Sequence, residues 1–260
     1  MNAFAAILTT WAIAALAQTA GFAWQRARRN AGIVDAIWAT TVGIGAVVIA
    51  AFGDGALLPR VTVAVLGGAW GFRLASHLAA RVFGEEEDGR YAHLRSLWKQ
   101  SDVKWFAFFQ AQALLAVIFA VPFLGAARNP NGDIGPAWIV AVLWWLASVA
   151  GESIADRQLA RWRADPANRG KACRAGLWRY SRHPNYFFEW LHWFAYVWLA
   201  IGSPWFAVSF AGPVVMYVFL RWISGIPYTE AQALRRRGED YREYQRTTPM
   251  LIPWFPRKSP

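Results

Sequence analysis

The chain has 260 residues, of which 56% are hydrophobic and arrive in long blocks with 17 Trp and 17 Phe, against a formal net charge of +11. This composition excludes an ordinary water-soluble domain and a disordered chain, and it indicates a membrane protein. A single cysteine, Cys173, excludes an internal disulfide.

A hydrocarbon core about 30 Å thick takes roughly 20 mostly apolar residues per helix. Seven runs of about that length predict an all-α, polytopic fold: Ala3–Trp24, Ile33–Phe52, Val61–Ala80, Trp105–Gly125, Pro136–Ala155, Tyr186–Ile201 and Trp205–Ile223. The third carries Arg73 and His77. The sixth is short, carries Glu189 and His192, and is parted from the seventh only by Gly202, Ser203 and Pro204, so a re-entrant pair is the alternative there. The first block has no basic region before it and no small-residue cleavage site after it, and it reads as a retained helix.

Lys and Arg gather on the cytosolic side of short connections. Arg26, Arg28 and Arg29 follow the first block, Arg81 to Lys104 the third, and eight basic residues from Arg157 to Arg182 the fifth, whereas the intervening loops hold only Arg60, then Arg128, then none. Seven spans with the N-terminus outside and the C-terminus in the cytosol satisfy this alternation. The net charge is then mostly cytosolic and suits anionic lipid headgroups, with no nucleic acid needed to explain it.

Ionisable groups within a membrane cost roughly 2.5–3.5 kcal/mol each at mid-depth on insertion scales. Asp35, Arg73, His77, Glu152, Asp156, Glu189, His192 and Arg221 all fall in the predicted cytosolic half of their spans, together with Gln110 and Gln112. They describe a pocket open to the cytosol and closed towards the other face. No internal repeat suggests a transporter. His77, His93, His183 and His192 are too scattered for an iron or zinc cluster, so no metal site is expected.

The densest polar stretch runs from Glu152 to Glu189. Glu152 and Asp156 are four apart, as are Asn185 and Glu189, so each pair shares a helical face. Pro184 suits the first turn of a helix, which leaves backbone N–H groups at its start for an anion. Arginine forks for phosphate, carboxylates for ribose or amide groups and aromatic faces for a ring are the needs of a nucleotide cofactor. A tail helix from Thr229 to Arg246, interrupted at Gly238, is expected to close over it.

Arg182-His183-Pro184-Asn185-Tyr186 with the later Glu230, Leu234, Gly238, Tyr241 and Tyr244 resembles the C-terminal half of the steroid 5α-reductase superfamily, and is similar also to isoprenylcysteine carboxyl methyltransferases. The first half, through Arg73, Glu87-Asp88, Arg90-Tyr91 and Arg95, resembles the bacterial branch of the reductases. The resemblance implies one membrane-embedded domain over 1–260, with substrate-side helices in 1–125 and a cofactor-binding half in 136–260. It implies NADPH held by Asp156, Arg163, Lys171, Tyr180, Arg182, His183, Asn185, Glu189, Tyr241 and Tyr244. A family asparagine stands here as Glu152. The steroid enzymes' adjacent glutamine and glutamate are absent, which leaves Asp35 and Tyr91 as the expected catalytic groups, with Trp38, Trp70 and Arg73 at the substrate.

Three functions remain. The first is NADPH-dependent reduction of a lipophilic α,β-unsaturated carbonyl, in which Asp35 or Tyr91 hydrogen-bonds the carbonyl oxygen. The second is an S-adenosylmethionine-dependent methyltransferase acting on a lipid or lipidated thiol; the many arginines favour the phosphate-bearing cofactor. The third is a non-catalytic lipid-binding protein. Location in a bacterial inner membrane, with the cofactor side facing the cytosol, is expected from the resemblance.

Overall fold

The computed structural model describes residues 2–99 and 101–257. Helix makes up 78% of the protein and no strand occurs among the described residues, so the fold is all-α. The helices are α1 (Ala3–Arg28), α2 (Ile33–Phe52), α3 (Leu57–Gly84), α4 (Gly89–Trp98), α5 (Asp102–Ala120), α6 (Phe123–Ala127), α7 (Pro136–Ala164), α8 (Pro184–His192), α9 (Phe194–Leu199), α10 (Ala211–Val218), α11 (Ile226–Arg237) and α12 (Glu239–Thr247).

Five helical stretches among the described residues are long and apolar enough to cross a membrane: α1, α2, α5, α7 and the stretch Phe206–Arg237, which bends at Ser224 and Gly225. The third apolar block of the sequence lies inside α3, whose 28 residues suffice in length but include Arg60 and Arg73. The sixth block forms two short helices, α8 and α9, interrupted at Trp193. In the seventh, a 3₁₀ turn over Phe206–Phe210 leads into α10 and a π-helical turn over Phe219–Ile223.

The chain divides into two compact units, Met1–Trp138 with Tyr196–Gly212, and Ile139–Ala195 with Pro213–Pro260. The return of Tyr196–Gly212 to the first unit has a local cause. Asn129 donates its amide to the carbonyls of Leu199 (2.7 Å) and Ile201 (2.9 Å), and the Tyr196 ring packs edge-on to Phe123 at 4.7 Å.

In the first unit, α1 starts at Asn2, whose side chain accepts from Ala5 N at 3.0 Å, and stops where Arg29 turns left-handed at φ 53°. α2 and α3 meet through small residues, as membrane helices must when close backbone approach replaces a hydrophobic driving force. A Cβ at position 71 would stand 2.7 Å from Gly43 Cα and 2.8 Å from Ala39 O. Arg60 on α3 caps α2, donating to Ala50 O (2.7 Å) and Ala51 O (3.0 Å), where the negative helix end favours a cation.

In the second unit, α7 and α8 are equally close, since a Cβ on Gly151 would lie 2.5 Å from the Phe188 ring. Trp144 donates to Leu191 O at 2.8 Å and Trp178 to Ala155 O at 2.9 Å, so the backbone satisfies these two indole N–H groups. Pro184 occupies the first turn of α8. Gly238, at φ 54°, separates α11 from α12, a conformation that costs a side-chain-bearing residue more than glycine.

Candidate functional site

In the first unit, polar side chains collect where α4 meets the start of α2. Glu87 takes a two-pronged bond from Arg95, at 2.7 Å to Nη2 and 3.0 Å to Nε, and also accepts Ala31 N at 2.7 Å. Arg95 lies over the Trp105 ring at 4.9 Å. These contacts fix α4, whose N-terminus Asp88 caps by accepting Arg90 N at 2.9 Å.

So fixed, α4 delivers two side chains to one carboxylate. Tyr91 donates to Asp35 Oδ1 at 2.7 Å, and Arg90 donates to Asp35 Oδ2 at 3.0 Å. The two groups expected to be catalytic, 56 positions apart in sequence, are therefore in direct contact. Burial, followed by the charge of Asp35, holds the Tyr91 phenol well above its ordinary pKa of 10, so it keeps its proton at neutral pH. Asp35 accepts on both oxygens. Beside the pair lies a recess of about 30 Å³, bordered also by Asp88 and Arg81 and large enough for a water molecule.

Trp38 sits three residues beyond Asp35, on the same face of α2. Its ring packs edge-on against Trp70 (6.2 Å) and Phe119 (5.1 Å). Its indole nitrogen is buried and has no hydrogen-bond partner among the described residues. A buried donor left unpaired costs roughly 1–3 kcal/mol, which a ligand oxygen would recover. Arg73 is half-buried on α3, and Trp70 on the same helix is fully buried.

In the second unit, the face of α7 that carries Ser148, Glu152 and Asp156 is polar and largely buried, as is the face of α8 that carries Asn185, Glu189 and His192. Asn185 donates to Asp156 Oδ1 at 3.1 Å, which joins two of the residues expected at the cofactor. Glu189 is buried, and the His192 Nδ1 lies 2.5 Å from its carbonyl oxygen. Arg163 and Lys171 are exposed.

The remaining motif residues form a clasp around the C-terminal segment. Arg182 donates to Glu230 (2.6 Å), Gln245 O (3.0 Å) and Thr248 O (2.6 Å). Glu230 also receives Gln245 at 2.8 Å and lies 3.2 Å from His183 Nε2. Burial holds the His183 imidazole below its ordinary pKa in spite of Glu230, so the ring is neutral at pH 7 with its Nε2 proton towards the carboxylate. Tyr244 donates to the carbonyls of Trp178 and Ser181, and Tyr241 is buried beside it. Tyr180 packs against Phe255 at 6.0 Å and accepts Trp254 N at 2.9 Å. Arg182 Nε and Nη1 and the Tyr244 hydroxyl are thus engaged by the protein itself. Cys173 is buried, and burial raises its thiol pKa, which disfavours a reactive thiolate.

Arg90 is the site residue that sequence reasoning did not assign a role. Its signal was the alternation of acid and base over Glu87, Asp88 and Arg90. No group of three or more His, Cys, Asp or Glu able to hold a metal occurs among the described residues.

An all-α chain with several membrane-length apolar helices, a buried tyrosine bonded to a half-buried carboxylate in one unit and a polar-faced helix pair in the other is a polytopic membrane protein. A family model described as "Protein of unknown function (DUF1295)" matches residues 21–248. The chain belongs to this family, which is associated with steroid 5α-reductase-like proteins. No curated protein and no solved structure matches the chain.

Proposed function

We propose that the protein is an NADPH-dependent reductase of a lipophilic α,β-unsaturated carbonyl compound, of the bacterial branch of the steroid 5α-reductase-like proteins. The observation that carries this is the Tyr91–Asp35 contact at 2.7 Å, one turn of α2 from Trp38 with its unpaired indole N–H. A protonated phenol held by a carboxylate and flanked by aromatic rings suits a substrate that is apolar except for one carbonyl oxygen.

The donor set of the second unit fits a phosphate-bearing dinucleotide. Arg163 and Lys171 are exposed cations for its phosphates, and Asp156, Asn185 and Glu189 offer carboxylate and amide groups to its ribose or carboxamide. Arg182, His183, Tyr241 and Tyr244, expected at the cofactor as well, brace the surrounding loop through Glu230 and backbone carbonyls. When bound, NADPH would supply a hydride to the β-carbon of the enone. The single proton of the Tyr91 phenol, directed at Asp35 in this structure, would turn to the carbonyl oxygen on substrate binding and polarise it, while Asp35 stays held by Arg90.

The reading includes seven passes, with α3 and the α8–α9 pair crossing in addition to the five long apolar stretches. It also places the N-terminus outside and the C-terminus and the cofactor residues at the cytosol, on the asymmetry of basic residues, and the protein in a bacterial inner membrane, on the resemblance to the bacterial branch of the family.

The test is thermal stability of detergent-purified protein with NADPH or S-adenosylmethionine. NADPH stabilises the wild-type chain and not Asn185→Ala or Glu189→Ala. Tyr91→Phe keeps the NADPH shift and loses enone reduction by about 10²-fold or more. Stabilisation by S-adenosylmethionine alone would turn the reading to a methyltransferase, and stabilisation by neither would favour a non-catalytic lipid-binding protein.

A further inference from the structure

The first unit contains a second cavity, of about 290 Å³, far from the Asp35–Tyr91 pair. Pro59 borders this cavity and Arg81 the recess beside Tyr91. Both are on α3, and the 22 residues between them correspond to roughly 33 Å of helix.

Charge and ring chemistry set what this cavity can take. Trp138 and Trp198 both line it, with Asp133, Asn131 and Pro59, and no lysine or arginine does so. The arginines at this end of the unit are already used. Arg60 is bound to the carbonyls of Ala50 and Ala51, and Arg128 pairs with Asp54 at 3.1 Å while lying over the Trp205 ring at 4.5 Å. Asp133 forms no ion pair among the described residues, and its carboxylate is the only formal charge in the lining. The buried amide of Asn129 is spent on Leu199, Ile201 and the Asn131 backbone, so it fixes the wall instead of offering a donor to an anion.

A concave site with two tryptophans in its wall, one exposed carboxylate without an ion-pair partner among the described residues and no cationic side chain disfavours phosphate and carboxylate ligands and favours a cation with an apolar surface. We propose that this cavity binds an alkylammonium group, with its charge towards Asp133 and its methyl or methylene groups against Trp138 and Trp198. The ammonium could be carried by a lipid headgroup or by a soluble amine, which share this chemistry. The proposal stands apart from the reductase reading, because no residue of the cavity takes part in it.

The experiment is saturation-transfer NMR on the full chain in a maltoside detergent, with choline as probe and its neutral carbon isostere 3,3-dimethylbutan-1-ol as control. Choline is expected to bind at least tenfold more tightly than the isostere. The exposed substitution Asp133→Asn should weaken choline about tenfold, equivalent to about 1.4 kcal/mol. Trp138→Leu, checked for an unchanged melting temperature, should weaken it as well. Displacement of choline by lysophosphatidylcholine assigns the site to a lipid headgroup, and its retention assigns the site to a soluble amine. Equal binding of choline and the neutral isostere, unchanged binding in Asp133→Asn, or no choline signal would each overturn the proposal.

Discussion

Replacing Glu230 by alanine is the most informative single perturbation of the second unit. The side chains of Arg182 and Glu230 are only 10% and 15% exposed, and Glu230 is the only acid within salt-bridge distance of Arg182 among the described residues. Removing one member of such a pair leaves the other charge uncompensated, at a cost of about 3–5 kcal/mol when fully buried. The Arg182 bonds to Gln245 O and Thr248 O survive, so about 2–3 kcal/mol is the working figure. At 1.4 kcal/mol per decade this is roughly a 30- to 150-fold shift towards an opened clasp. The readout is hydrogen exchange at the backbone amides of Arg182, Trp254 and Arg257, which donate to Pro249 O, Tyr180 O and Thr247 O. Their protection should fall by that factor, while amides in the middle of α2 remain unchanged. Glu230→Gln, which keeps the shape and one acceptor, should fall between wild type and Glu230→Ala. Protection within threefold of wild type in Glu230→Ala would refute the assignment of the clasp to this carboxylate.

Other outcomes follow from the same structure. Gly71→Leu drives side-chain atoms into the backbone of α2 and should cost about 1–3 kcal/mol or more, seen as a lower melting temperature in detergent; Gly84→Ala, with nothing within 4 Å of the added Cβ, should not lower it. Burial tends to raise the pKa of Asp240, but hydrogen bonds from Arg174 (2.7 Å) and Ala172 N (2.5 Å) outweigh it and hold the carboxylate below its ordinary 3.8. A depressed carboxylate stabilises the fold above its unfolded pKa and loses that contribution as pH falls through the folded value. Asp240→Asn should therefore melt below wild type at pH 6, the gap should narrow as pH falls below 3.8, and a gap unchanged by acid would contradict the ion pair. Arg95→Met removes both prongs on Glu87, so α4 should loosen and the Tyr91–Asp35 contact should weaken, read as faster exchange of the Tyr91 amide, which donates to Asp88 O.

Much of this arrangement could be read from local pattern. Pro184 at the start of α8, Gly238 between α11 and α12, and Asp35 in the first turn of α2 each follow from one residue's backbone or charge preference. Asp35 and Tyr91 were expected to act together only through the resemblance to the steroid enzymes, and the fold brings them to hydrogen-bonding distance. The interruption at Trp193 was hidden, because the residues on both sides are equally apolar and aromatic. The partners of Arg182 and Tyr244 were hidden for a different reason. They are largely backbone carbonyls, which every residue possesses and no sequence marks. A basic motif residue that looked available to a ligand was therefore already satisfied by the chain.

The clasp also bears on how the protein is made. Ser181 bonds Leu251 O across 70 positions and Tyr180 receives Trp254 N, so the Arg-His-Pro segment cannot reach its final form when it is first synthesised. Until the later segment arrives, Arg182 must rest against water or headgroups, and the polar faces of α7 and α8 lack their finished surroundings. Contacts this distant in sequence are slow to form because loop closure precedes any return from them. The clasp should thus mature late, after the long apolar helices have formed, and variants that weaken it should show their defect first in yield from cells and only then in the purified protein.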